Sequence, residues 1–319
     1  MTTSRAAISE RVLIDTDPGV DDAIALLMAL SCPLLDVVGL TTTAGNVPIG
    51  PATRNALALL ESVGRTDIPV ARGATRPIRG RYAYARHVHS AEGLTHPLPP
   101  PTTRTTDTGA VRFLAETLQA SPGEITVIAL GPLTNLARLH RDHPSVLPLA
   151  KRLLVMGGAV QTAGNITPHA EFNFYSDPTA ARLVMESGIP ITLIDMAPCR
   201  QVFLTREDVL AARPSTDVGV LAERIMAGWF GQGPTRERFN MYDPLTLVAA
   251  VDPHAIDLRS VTMTVDDSMS TDDSDLWGRC RVLDESGGPI RVARPGGVDV
   301  AASLRLIREL LGWSQPAAN

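Results

Sequence analysis

Short apolar runs alternate with helical patterns along most of the chain. "RVLID" (11–15) precedes "DDAIALLMALS" (21–31), "LDVVGLTTT" (35–43) precedes "PATRNALALLESV" (51–63), and "EITVIAL" (124–130) precedes "PLTNLARLHRD" (132–142). "RLLVMGG" (152–158) is followed by "DPTAARLVMESG" (177–188), and "PITLID" (190–195) stands before further helix. The short runs are rich in β-branched residues and apolar at successive positions, as strands covered on both faces are; the longer ones recur at three- and four-residue intervals. This alternation predicts a mostly parallel, Rossmann-like α/β sheet flanked by helices. No shift of composition and no internal repeat marks a boundary. One domain over 1–319 is therefore expected, with its motifs in 11–251 and residues 252–312 continuing the same unit.

Two segments break the pattern. Residues 72–107 are rich in Arg, Pro, Tyr, His and Thr, and so long a stretch without apolar periodicity predicts a functional loop or lid, with a surface insertion as the plain alternative. The acidic, Ser-rich "DDSMSTDDSD" (266–275) reads as a solvated loop.

Charge narrows the choice of partner. A formal net charge of −5 argues against a nucleic-acid backbone or an anionic membrane as the main partner and favours a small molecule. Lys151 is the only lysine among 29 basic residues, so lysine-dependent mechanisms have a single candidate. Cys32, Cys199 and Cys280 are far apart and suggest neither a disulfide framework nor a zinc site, which fits a cytoplasmic protein. The N-terminus has no signal-peptide core, and no run is long and apolar enough for a membrane span.

In a parallel sheet, ligands bind beyond the carboxyl ends of the strands. The polar clusters fall there repeatedly: "DTDPGVDD" (15–22) after the first strand, "TTAGN" (42–46) after the second, then "GPLTN" (131–135), "GGAVQTAGN" (157–165) and "AEFN" (170–173). Any one of these residues has a bland reading. Asp21 and Asp22 would serve the first turn of a helix, and Asn135 or Asn173 a turn or cap. Together they say more: four carboxylates in eight residues raise one another's cost of ionisation. With no lysine nearby, such a cluster suits a hard divalent cation with oxygen ligands, Ca²⁺ or Mg²⁺.

"DTDPGVDDAIAL", "TAGN", "GPLTNLA", "GGAVQTAGN…AEFNFYSDPTAA" and "YDPLTL" resemble, in order, the signature segments of the inosine-uridine preferring nucleoside hydrolase family. The resemblance implies the nucleoside hydrolase fold, a ribonucleoside substrate, a bound Ca²⁺ and a homodimer or homotetramer. It implies that Asp17, Asp22, the backbone carbonyl of Thr134 and Asp243 hold the metal. Asp17 would be the general base toward a water on the metal, and Asp21, Asn46, Met156, Asn165, Glu171 and Asn173 would contact ribose. An anionic pocket suits this chemistry independently, because N-glycoside hydrolysis passes through an oxocarbenium-like sugar.

The sequence departs from that family in two places. Tyr242 stands where non-specific members carry a histidine that protonates the leaving base; a phenol is a weaker acid but its ring can stack on a base. In "HVHSAEGL", His89 matches a family histidine near the base while Ser90 replaces a common glycine. Phe172, Trp229 and Phe230 are candidates for the base-pocket wall, with core packing as the alternative. The rival to an enzyme is a nucleoside- or sugar-binding member that retains the metal and ribose sites. A haloacid-dehalogenase-type phosphatase would need a later lysine, for which the chain offers only Lys151 inside a strand-like run, and an acidic motif that it lacks.

Overall fold

A computed structural model describes residues 9–268, 276–284 and 292–314. Most of the acidic segment expected to be a solvated loop (269–275) lies outside the described residues. In chain order the first half contains β1 (Glu10–Thr16), α1 (Val20–Ser31), β2 (Leu35–Thr42), α2 (Ile49–Ser62), β3 (Val70–Arg72), α3 (Arg86–His89), α4 (Ala110–Ala120), β4 (Ile125–Ala129), α5 (Thr134–Asp142) and β5 (Arg152–Met156). The second half contains α6 (Phe172–Ser176), α7 (Pro178–Met185), β6 (Ile191–Ile194), α8 (Met196–Cys199), β7 (Phe203–Thr205), α9 (Arg206–Leu210), β8 (Arg213–Pro214), α10 (Asp217–Gly231), β9 (Arg238–Asn240), α11 (Tyr242–Val251), β10 (Ile256–Val265), β11 (Cys280–Asp284), β12 (Val292–Val298), α12 (Val300–Leu310) and β13 (Trp313–Ser314).

Among the described residues the main sheet has nine strands in the order β11-β10-β12-β6-β5-β4-β1-β2-β3. From β12 to β3 neighbouring strands are parallel, and β10 and β11 add an antiparallel edge. That edge is what the alternation rule could not foresee, because among the described residues no α-helix separates β10 from β11.

Each parallel strand is covered on both sides. In β1, Val12 and Ile14 enter a core shared with α1, α2, α10, α11 and α12, while Leu13 points into a second core shared with α4, α5 and α7. Period-two alternation thus gives a continuous apolar run, because both faces are dry. Helix α1 is buried along almost its whole length, from Val20 to Ala29 with only Asp21 partly exposed. It rests on Leu26, Leu27 and Met28, and truncating any of them to alanine costs about 2–5 kcal/mol.

The strand order places the site. After β1 the chain works outward through β2 and β3, then returns to start β4 on the other side of β1. The loops after β1 and β4 therefore diverge and leave a crevice beyond their carboxyl ends. Segment 72–107 contains only α3 but is closely packed: Asn55 Nδ2 donates to Glu92 O, the backbone N–H groups of Thr102 and Thr103 donate to the Glu61 carboxylate, and the Thr95 hydroxyl donates to Ile225 O.

Candidate active site

Above the β1/β4 crevice lies a cavity of about 250 Å³. Its walls come from places far apart in the sequence. Asp21 and Asn46 follow β1 and β2, Met156 ends β5, Asn165 and Glu171 come from the loop after β5, Phe172 and Asn173 from the first turn of α6, and α3 contributes His87 to His89. Trp229, Arg238, Asn240, Tyr242 and Asp243 complete the enclosure.

The acidic floor is built by one helix start. Asp22 is the third residue of α1, and its Oδ2 accepts the Gly19 N–H at 3.0 Å and the Asn46 side-chain amide at 2.9 Å. Its Oδ1 accepts the Thr16 hydroxyl at 2.5 Å and the Asp17 N–H at 3.2 Å. One carboxylate thus caps the helix and fixes the turn that carries Asp17. Asp17 Oδ2 accepts the Asn46 N–H at 2.5 Å, whereas its Oδ1 is buried without a hydrogen-bond partner. Gly45 and Gly131 flank this carboxylate so closely that a Cβ on either would collide with it.

Carboxylate oxygens of Asp21, Asp22 and Asp243 lie within 4.8 Å of one another, a set able to hold a metal ion in which Asp21 stands where the sequence led to Asp17. Burial, reinforced by the neighbouring carboxylates, pushes Asp17 and Asp243 well above the usual carboxylate range. Burial raises Asp21 to about 6 and Glu171 to about 7, even though Glu171 caps α6 and accepts the N–H groups of Gly158, Asn173 and Phe174. Grouped anions and an orphaned buried oxygen fit a divalent cation, whose charge would relieve every one of these penalties.

A pH dependence of stability follows. For a group whose proton affinity is higher in the folded chain, the stabilising contribution is complete below the unfolded value near ~4 and is lost as pH rises through the folded one. For Asp21 and Glu171 that window ends at about 6 and about 7. Metal-free protein is expected to melt several degrees higher at about pH 5 than at about pH 7.5, and saturating calcium should abolish the difference. Melting curves at both pH values, with and without chelator, check this.

The expected ribose residues converge. Asp21, Asn46, Met156, Asn165, Glu171 and Asn173 all line the cavity. Asn173 Nδ2 donates to Leu130 O at 2.7 Å, which leaves its carbonyl oxygen as an acceptor. The Thr134 side chain stands apart: its hydroxyl donates to Asp177 at 2.7 Å and bonds Tyr82 Oη at 2.8 Å, and it does not reach the cavity wall. From the same turn it is Leu130 that does. The aromatic candidates divide. Phe172 and Trp229 line the cavity, whereas Phe230 is 1% exposed and belongs to the core, edge-on to Trp229.

His89 is buried against the floor, where its Nδ1 accepts the Val20 N–H at 3.0 Å and lies 3.7 Å from Asp21 Oδ1. Burial lowers it to about 4, so the ring is neutral at physiological pH. The next residue, Ser90, has φ +74°, ψ 173°, a backbone conformation that favours glycine and explains why glycine suits this position. Arg236 holds the segment in place: it stacks 4.4 Å from the Trp229 ring centre and donates to the carbonyls of His87 and Val88 at 2.7 and 3.0 Å.

His87, Leu130, Arg238 and Asn240 are cavity residues that sequence reasoning missed. The alternation in "RFN" just before Tyr242 would have been the available signal for Arg238 and Asn240, since residues i and i+2 share a strand face.

A Rossmann-like sheet with a carboxylate set able to hold a metal, amides and aromatics at its switch point has the features of an enzyme site for a polyhydroxylated small molecule. The chain belongs to the inosine-uridine preferring nucleoside hydrolase family, whose sequence model matches residues 12–303. It is therefore a ribonucleoside hydrolase by class. Uridine nucleosidase 1 of Arabidopsis thaliana is 39% identical over 251 residues, 76% of this chain and 74% of that one. The pyrimidine-specific ribonucleoside hydrolase RihA of Citrobacter koseri is 43% identical over 198 residues, 62% and 63% of the two chains. A solved plant nucleoside hydrolase, the PpNRh1 enzyme, superposes with a TM-score of 0.87 at 34% identity, covering 95% of this chain and 99% of its own.

Proposed function

We propose that the protein is a calcium-dependent hydrolase of pyrimidine ribonucleosides, with uridine as the favoured substrate, releasing ribose and the free base. The observation that carries the reading is the convergence of Asp21, Asn46, Glu171 and Asn173 on one cavity whose floor is an acidic cluster. The uridine and pyrimidine specificities of the relatives support the choice of base.

Asp17, Asp22 and Asp243 would hold the ion, with the backbone carbonyl of Thr134 at the start of α5. Calcium, with its tolerance for irregular oxygen ligation, suits this set better than magnesium. When bound, the ion supplies charge neutralisation and acidifies a water molecule. The side chains do the rest. Asp17 takes the proton from the attacking water; its unpartnered Oδ1 is the free acceptor for it. Asp21, Glu171, Asn46 and Asn173 orient the sugar hydroxyls, and their carboxylates stabilise the positive charge that develops on the ring. Apolar walls at Met156, Phe172 and Trp229 exclude water from the bond being broken.

Tyr242 reads as a stacking residue. Burial pushes its hydroxyl up to about 12, and that oxygen accepts the Asn240 amide at 3.3 Å, so the phenol is a poor proton donor. Tyr242→Phe should keep most uridine turnover, whereas Tyr242→Ala should lose about 10²-fold in kcat/KM through loss of the aromatic face. A drop on Tyr242→Phe as large as that of Tyr242→Ala would make the hydroxyl the acid instead.

The three free, buried cysteines support a cytoplasmic location, and the family resemblance supports a homodimer or homotetramer in one-domain subunits. No helix among the described residues is long and apolar enough to cross a membrane. Free reducing sugar released from uridine, cytidine, inosine and adenosine tests the reading. Uridine is expected to lead, and a purine preference would overturn the choice of base.

A further inference from the structure

Of the lysines and arginines among the described residues, Arg238 alone lines the cavity. It is exposed, and among the described residues it makes no ion pair and no side-chain hydrogen bond. What holds it is an aromatic stack. β7 and β9 pair antiparallel with Thr205 opposite Arg238 and Phe203 opposite Asn240, and the Arg238 guanidinium carbon sits 4.4 Å from the centre of the Phe203 ring. This is the diagonal contact of a two-stranded ribbon. A stacked, unpaired guanidinium keeps its five N–H donors and its full charge available. Asn240, two residues on, also lines the cavity and donates to the Tyr242 hydroxyl, so one short strand positions both the cation and the stacking ring.

Breaking an N-glycosidic bond leaves the electron pair on the base. For uracil the charge spreads from the ring nitrogens to two carbonyl oxygens. His89 cannot supply a proton through Nδ1, which is occupied as an acceptor of the Val20 N–H. A fixed cation removes the need for one. We propose that Arg238 recognises the carbonyl oxygens of the departing pyrimidine and stabilises its negative charge, so that the base leaves as an anion without protonation by a side chain. This rests on the pyrimidine-nucleoside reading above. The water oxygen bonds to the sugar anomeric carbon and gives its proton to Asp17. The carbon–nitrogen bond breaks with both electrons on nitrogen, and the released base takes a proton from solvent. Charge-assisted hydrogen bonds to a group that gains charge in the transition state act on rate more than on substrate binding.

The test compares uridine, 5-fluorouridine and 4-nitrophenyl riboside in wild type, Arg238→Met and Arg238→Lys. Methionine keeps bulk over Phe203 and removes charge and donors. The ratio of kcat/KM for uridine to that for 4-nitrophenyl riboside, whose leaving group is already a stable anion, is expected to fall about 10²-fold in Arg238→Met. 5-Fluorouridine should fall less than uridine, and lysine should restore part of the ratio. Phe203→Leu, which removes only the stack, should shift the ratio the same way by a smaller factor, and melting curves verify that each variant is folded. Equal losses on all three substrates, or none, would overturn the role of Arg238. Wild type that releases ribose from inosine but not from uridine would instead overturn the pyrimidine reading and this inference with it, before any variant is made.

Discussion

Replacing Asp17 by asparagine is expected to lower kcat on uridine by about 10³-fold or more while leaving the protein folded. Asparagine matches the carboxylate in shape and its carbonyl can still accept the Asn46 N–H, so the turn that positions Asp17 is kept. What is lost is the charge and the basic oxygen. The amide nitrogen of the substituted side chain would occupy the place of the unpartnered Oδ1 or of the Asn46-bonded oxygen, and neither arrangement can take a proton from water. Metal-free Asp17→Asn should melt no lower than wild type, because a buried anion repelled by Asp22, Asp21 and Asp15 has been removed. Steady-state rates together with melting curves check both halves. A folded variant that retains wild-type kcat would exclude Asp17 as the base.

Removing divalent ions should have an equally large effect. Asp17, Asp21, Asp22, Asp243 and Glu171 repel one another in a buried site whose lining contains no lysine and only Arg238 as arginine. Dialysis against a calcium chelator is expected to lower ribose release by about 10³-fold or more, and one equivalent of calcium per chain to restore it. Binding should also stabilise the fold, by about 2.7 kcal/mol at a hundredfold excess over Kd. Zinc or magnesium that restored full activity where calcium failed would contradict the assignment of the ion.

Much of the site was legible because its residues sit where the strand pattern changes to a helix pattern. "DTDPGVDD" announces a turn between β1 and α1, and the same pattern put Asn46 at the end of β2, whereas Glu171 and Asn173, at the start of α6, were marked by the family resemblance. Distances between those ends were not legible, since they depend on the strand order. Asp15 shows the difference. It is two residues from Asp17 and could be read as sharing the floor, yet its carboxylate accepts the Thr41 hydroxyl at 2.5 Å and the Asn135 amide at 2.7 Å and braces the sheet. Thr134 was expected to act through its backbone carbonyl; its side chain turns toward Tyr82 and Asp177, which residue spacing alone does not reveal. The irregular segment 72–107, expected to be a functional loop or lid, brings His87 and His89 to the cavity wall. The segment is held by contacts remote in sequence: Arg236 grips the carbonyls of His87 and Val88, and the Val20 N–H donates to His89. Arg238 sits in a three-residue strand whose brief alternation was the one signal for it.

Hydrolysis of uridine in ¹⁸O-labelled water, followed by mass analysis of both products, tests the central claim most directly. The account predicts one ¹⁸O in the ribose, none in the uracil, and undiminished turnover without phosphate. Unlabelled ribose, label in the base, or turnover that requires phosphate would contradict it.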